Sequence, residues 1–225
     1  MAPAIGTRRE RLAAARLYLL ATRRLSRLPL ADAVAAACRG GVRVVQVREK
    51  EAADAEVAAI ARDLAPIVRE AGGLLIVNDR VDAALAAGAD GVHLGPEDAP
   101  PAEARRRVGP DLLVGVTTHD LAQANRAVAE GADYVGIGPV FPTDTKGVPI
   151  RVVGPEAAGR VGRSIAVPAF AIGGISPANA KRLRAEGVSR AAVCAAILGA
   201  EDPEAAARGI LAELGEDAAG SMGVS

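Results

Sequence analysis

Three stretches of the sequence share one grammar: ALAAGADGVHLGP ending at Pro96, AVAEGADYVGIGP ending at Pro139 and LRAEGVSRAAVCA ending at Ala195. Each reads as the end of a helix, a glycine and then an apolar strand. A glycine just past a helix end takes up the left-handed conformation that stops the helix. The apolar run that follows is too continuous for a strand with one wet face, so it belongs in a parallel sheet covered by helices. ACRGGVRVVQVRE and REAGGLLIVND repeat the pattern, which brings the clear helix-to-strand passages to five.

Extending the same reading predicts strands near 16–21, 42–48, 74–78, 91–94, 112–117, 134–139, 168–173 and 190–195. Alanine-rich amphipathic helices are expected near 31–39, 54–71, 81–87, 101–107, 120–130, 155–161, 177–186 and 203–214. Eight alternating βα units of roughly 25 to 30 residues suit a single-domain (β/α)8 TIM barrel. The barrel is expected over 16–214, with an N-terminal extension at 1–15 and a flexible C-terminal tail at 215–225. A doubly wound open sheet is the structural alternative, but no GxGxxG follows the first strand.

Composition removes several function classes. With 27 basic and 27 acidic side chains in 225 residues the formal charge is zero, so no broad field favours nucleic acid or an anionic membrane. Aromatic residues make up 2%, too few for the stacking platforms of single-strand binding. The two cysteines, Cys38 and Cys194, belong to no CxxC pattern, which argues against a disulfide framework or a zinc site. No segment reaches the roughly 18 consecutive apolar residues of a membrane span, and the N-terminus lacks a secretory core. A cytoplasmic protein acting on small molecules is expected, its oligomeric state left open.

Function in such a barrel sits at the carboxyl ends of the strands. There the sequence places QVREK, NDR, HLGPED, VTTHD, FPTDTK and IGGIS. Arg48, Lys50 and Lys146 are three cations that would converge on one mouth; arginine grips phosphate with paired N–H groups and lysine as a point charge. Each alone also reads as a solvated surface charge. Asp79 and Asp98 offer the one or two carboxylates by which Mg2+ is commonly held beside a substrate phosphate. Alternatively, Asp98 caps the following helix and Asp79 pairs with Arg80 or Arg48. Gly173 and Gly174, with the small residues Cys194, Ala195 and Ala196, suit a backbone phosphate cradle, or only a turn. His93, inside a strand, reads as a hydrogen-bonded interior residue, whereas His119 is placed where a general acid or base could act. No serine or cysteine nucleophile can be assembled with a histidine and an acid.

Taken in order, VVQVREK, LLIVNDR, ADGVHLGPEDAP, VGVTTHD, GADYVGIGPVFPTDTKG, PAFAIGGISPANA and the passage to CAAI resemble the motifs of the thiamine phosphate synthase family from about Leu17 to about Leu214. The resemblance implies a transferase that joins 4-amino-5-hydroxymethyl-2-methylpyrimidine diphosphate to a thiazole phosphate and releases diphosphate. It implies that Gln46, Arg48, Lys50, Asn78, Thr117 and Lys146 hold the pyrimidine diphosphate and that Asp79 and Asp98 hold magnesium. In the segment Thr143, Asp144, Thr145 and Lys146, the threonines would contact the thiazole phosphate. Gly174, Cys194 and Ala195 match the phosphate cradle. Two positions depart from the pattern: Thr117 stands where the family usually has serine, and Ala195 replaces a common serine. A related barrel, the thiazole tautomerase, uses a histidine at a position like His119, but would not need the aspartates and the full set of cations. A non-catalytic sensor of phosphate ligands is the remaining alternative.

Overall fold

Strands that are apolar on both faces close into a barrel. The computed structural model describes residues 6–143 and 151–215. In it, β1 (Leu17–Ala21), β2 (Val44–Val47), β3 (Leu74–Asn78), β4 (Gly91–Leu94), β5 (Leu113–Thr118), β6 (Tyr134–Ile137), β7 (Ala169–Ile172) and β8 (Ala191–Val193) pair in sequential order, and β8 returns to β1. Every pairing is parallel, as in β1 with β2 and β1 with β8. This is the (β/α)8 barrel expected from the repeat.

The outer layer comprises α2 (Leu30–Arg39), α3 (Asp54–Glu70), α4 (Val81–Ala87), α5 (Pro101–Val108), α6 (Leu121–Ala129), α7 (Pro155–Ser164), α8 (Ala180–Ala185) and α10 (Pro203–Leu214). Two helices were not anticipated: α1 (Arg8–Ala14), ahead of the barrel, and the short α9 (Ala195–Leu198). The repeated glycine does what the pattern requires, since Gly88 closes α4 at φ 61° and its N–H bonds back into the last turn. None of the described helices is long and apolar enough to cross a membrane.

Strand alternation divides the core in two. Residues such as Leu19, Val45, Val77, Val92, Val114 and Val135 face the helices. Tyr18, Leu20, Val44, Leu74, Ile76, Leu113, Tyr134, Phe170 and Ala192 fill the barrel interior, closed from below by Leu12 and Ala15. Three of the four aromatic residues in the chain meet there: Tyr18, Tyr134 and Phe170, with ring centroids 5.4 to 5.9 Å apart.

Helix α1 belongs to the lower end of the barrel. Thr7 and Glu10 form a reciprocal capping box that starts it. Its arginines reach the aspartates that open two strands: Arg8 Nε lies 2.9 Å from Asp90 and Arg9 Nε 2.8 Å from Asp133. Arg105 also pairs with Asp133. The same carboxylates accept backbone N–H groups of neighbouring strands, Leu75 N at 3.0 Å on Asp90 and Val114 N at 2.8 Å on Asp133.

Most element ends fall within a few residues of expectation, and two strands end two residues early. The strand expected over 190–195 ends at Val193, because Ala195–Leu198 is made of good helix formers and turns into α9 with Cys194 at its N-cap. The strand expected over 134–139 ends at Ile137, since Pro139 has no N–H for the ladder; its bond to Gly138 is cis.

Candidate active site

The carboxyl ends of the strands surround a cavity of ≈ 170 Å³. Period-two alternation explains much of its lining: Gln46 on β2, Asn78 on β3, His93 on β4 and Thr117 on β5 all point inward near the top of the barrel. Arg48 and Lys50 follow β2, and Arg80 fastens their loop to the end of β3 by donating to the Lys50 carbonyl at 2.9 Å.

Asp79 lies at the centre of a tight turn in which Arg80 N–H reaches the Asn78 carbonyl at 2.7 Å. Its φ of 63° makes it the one described non-glycine residue with positive φ. Aspartate tolerates this conformation better than most residues, yet it is still strained. The strain aims the carboxylate at Asp98 across the next loop, where Gly95 N–H donates to Asp98 Oδ2 at 2.6 Å. A Cβ on Gly95 would lie 3.1 Å from that Asp98 oxygen and 3.9 Å from Asp79 Oδ1, so the bare glycine keeps open the space by the two acids.

Burial and the adjacent Asp98 carboxyl push the Asp79 carboxyl up to about 6, opposed by Lys50 and Arg48. Lys50 Nζ stands 3.8 Å from Asp79 Oδ2. Two of the alternative roles for the acids are not adopted, while Arg48 stands near enough to Asp79 to oppose the rise of its carboxyl. Arg80 pairs with Asp54 at 3.2 Å, and Pro100 rather than Asp98 occupies the N-cap of α5. Two carboxyls held against each other, with one cation only loosely placed, form a donor set suited to a hard oxygen-seeking cation. Among the described residues no group of three or more His, Cys, Asp or Glu is gathered for a metal, so any ion here would complete its shell with water or substrate oxygens. Asp98 lines an adjoining cleft of ≈ 310 Å³ rather than the mouth itself, and thus stands in the wall between the two.

On the opposite side, Gly173 and Gly174 follow β7 at φ 99° and 65°, and Asn179 Nδ2 holds the Gly174 carbonyl at 2.8 Å. Cys194, Ala195 and Ala196 line the same cavity. The first N–H groups of α9 have no carbonyl within their own helix to bond. Burial raises the Cys194 thiol to about 11, so it behaves as a small neutral wall and not as a nucleophile.

His93 is the interior residue expected, 7% exposed, with Nδ1 3.1 Å from Tyr134 Oη and Nε2 2.9 Å from Thr117 Oγ1. His119 lines the mouth and donates from Nδ1 to the Gly138 carbonyl at 2.5 Å. Thr143 is also in the lining. Asp144, Thr145 and Lys146 lie outside the described residues. Of the predicted residues that are described, the fold brings Gln46, Arg48, Lys50, Asn78, Asp79, Thr117, Thr143, Gly174, Cys194 and Ala195 to one cavity.

Tyr18 and Tyr134 were missed as parts of this site. Their hydroxyls lie under the cavity floor, 2.9 Å apart, and Gln46 Nε2 donates to Tyr18 Oη at 2.7 Å. The available signal was their placement: two tyrosines at inward strand positions in a chain with only four aromatics.

The family model described as thiamine monophosphate synthase matches residues 17–197. A thiamine-phosphate synthase of Gloeobacter violaceus is 50% identical over 198 residues, which cover 88% of this chain and 57% of that longer protein. One of Anaeromyxobacter dehalogenans is 51% identical over 181 residues, covering 79% of this chain and 81% of the relative. Among solved structures, a thiamine phosphate pyrophosphorylase from Pyrococcus furiosus superposes with a TM-score of 0.81 at 39% identity, covering 92% of this chain and 96% of that one.

Proposed function

Because the chain belongs to the thiamine monophosphate synthase family, we propose that its mouth condenses an aminopyrimidine methyl diphosphate with a thiazole phosphate, giving thiamine phosphate and diphosphate. The observation that carries this reading is the convergence on one cavity of two cations, Asp79 with Asp98 behind it in the wall and, across from them, a glycine-rich phosphate cradle. Two anion sites on opposite sides of one cavity suit two phosphorylated substrates.

Arg48 and Lys50 hold the diphosphate, joined by Lys146 on the strength of the family motif, and Asn78 and Thr117 add neutral hydrogen bonds. Asp79 and Asp98 hold Mg2+, which when bound supplies positive charge to the departing diphosphate. As the exocyclic carbon–oxygen bond breaks, the bonding pair leaves on the diphosphate oxygen, and the aminopyrimidine ring spreads the positive charge left on carbon. Arg48 and Lys50 stabilise the negative charge growing on the leaving group. The thiazole nitrogen then donates its lone pair to that carbon. Thr143, joined by Thr145 on the strength of the family motif, positions the thiazole, whose phosphate is received by Gly174 and the backbone at Cys194 and Ala195. Every step is accounted for by position and charge, so a protein nucleophile is not required.

The test is an assay of the purified protein with both substrates and Mg2+. Equal amounts of thiamine phosphate and diphosphate are expected. Isomerisation of the thiazole without thiamine phosphate, lost in His119→Ala, would overturn the reading in favour of a tautomerase.

A further inference from the structure

A single file of side-chain hydrogen bonds crosses the barrel beneath the cavity. It runs from Gln46 Nε2 to Tyr18 Oη (2.7 Å), to Tyr134 Oη (2.9 Å), to His93 Nδ1 (3.1 Å), and from His93 Nε2 to Thr117 Oγ1 (2.9 Å). Three strands away from each other in sequence, its two ends are Gln46 on β2 and Thr117 on β5, both lining the cavity. Tyr18 is 2% exposed and Tyr134 fully buried, so the hydrogens of the file are spent inside the protein. Both phenols are pushed up by burial and keep their protons, which gives each one hydrogen to donate.

Hydrogen counting sets a direction. An amide nitrogen only donates, so Tyr18 Oη accepts from Gln46 and sends its own hydrogen to Tyr134. Tyr134 then donates to His93 Nδ1, which leaves the imidazole hydrogen on Nε2, facing Thr117. Thr117 Oγ1 accepts that hydrogen, and its own hydroxyl hydrogen turns elsewhere. The opposite direction would make Thr117 donate to His93 and present only lone pairs to an anion. A hydroxyl beside a diphosphate must donate, so the chemistry of the ligand agrees with the count.

We propose that His93 is a positioning residue, fixed in the Nε2–H tautomer by Tyr134, whose task is to make Thr117 a hydrogen-bond donor to the anionic substrate. The same file holds the Gln46 amide with its carbonyl left as an acceptor at the opposite end. The inference rests on the reading of the cavity as a pyrimidine diphosphate site. It also gives Gly115 a reason: a Cβ there would overlap the Tyr134 ring and break the file at its middle.

Nitrogen-15 NMR of the histidines in the full-length protein tests this without a variant. The chain has two histidines, and they should show opposite tautomers: Nδ1–H for His119, which donates to the Gly138 carbonyl, and Nε2–H for His93. An Nδ1–H signal for both overturns the proposal. Tyr134→Phe should turn the His93 signal into a tautomer mixture and raise KM for the pyrimidine diphosphate about tenfold, the weight of one well-placed hydrogen bond, with a smaller change in kcat. His93→Gln, which can keep a donor near the Nε2 position, should recover most of what His93→Leu loses. Unchanged tautomer and KM in Tyr134→Phe would again overturn it. A locked tautomer with the KM change falling on the thiazole phosphate instead would leave the relay standing and remove the substrate assignment.

Discussion

The two ends of this barrel treat their shielded acids in opposite ways. At the lower end Asp133 has Arg9 at 2.8 Å, Arg105 beside it and a backbone N–H at 2.8 Å, while Asp90 has Arg8 at 2.9 Å and a backbone N–H at 3.0 Å. At the mouth Asp79 faces another carboxyl, sits in a strained turn and has a lysine only at 3.8 Å. Satisfied charges make one end a fastening for the strands. Acids set against each other make the other end a site that gains from a cation, as expected where function has been placed at the expense of stability.

That contrast can be broken most sharply by removing the cation. Chelation with EDTA should lower thiamine phosphate formation by about a hundredfold or more, since a cation at a departing oxyanion is worth several kcal/mol. The melting temperature in the absence of substrate should move little. Undiminished turnover in EDTA would remove the metal from the account.

The lower end should respond in the reverse sense. Asp133→Ala leaves Arg105, Arg9 and the Val114 N–H without their acceptor and should destabilise the fold by about 3 kcal/mol, read from denaturant unfolding. Turnover per folded molecule, measured well below the melting temperature, should stay near that of the parent. A loss of turnover matching the loss of stability would mean that the two ends are not separable.

pH gives a smaller and signed effect. The Asp79 carboxyl has an ordinary value of 3.8 and is raised to about 6 in the folded protein, so the folded state binds this proton more tightly than the unfolded one. Its contribution therefore favours folding at low pH, declines as pH rises through the interval from 3.8 to about 6, and is a constant penalty above it. The difference in melting temperature between the parent protein and Asp79→Asn, followed across that interval without metal, should show this slope. Saturating Mg2+ should flatten it. A slope of opposite sign would contradict the burial and like-charge origin of the shift.

The smallest change expected is that of Gly95→Ala, whose Cβ would come within 3.1 Å of an Asp98 oxygen. It should weaken Mg2+ binding several-fold, on the order of 1 kcal/mol for a displaced ligand, with KM for the thiazole phosphate unaltered.

Much of this was legible in the sequence because the signals are local. The helix–glycine–strand unit names the parallel sheet, its repetition eight times points to closure, and polar residues at strand ends such as Asn78, Asp79 and Thr117 stand out from the apolar runs before them. The features that escaped the reading depend on contacts between distant residues. Helix α1 carries the capping box Thr7 to Glu10, a local sign that was passed over, but its seat under Asp90 and Asp133 is set by the closed barrel. Tyr18 and Tyr134 lie within apolar strand runs that mark neither as functional, and only the register that brings β1, β2, β4, β5 and β6 around one interior turns them into links between Gln46 and Thr117. The repeated Gly-Ala-Asp of two strands likewise concealed two roles in one motif, a helix stop and an arginine-paired fastening.

The most direct test of this division is Asp79→Asn with stability and turnover measured on the same sample. Asparagine removes the like-charge conflict and suits positive φ at least as well as aspartate, so the melting temperature without metal at neutral pH should hold or rise while thiamine phosphate formation is lost. A variant that melts lower but keeps its turnover would contradict the account.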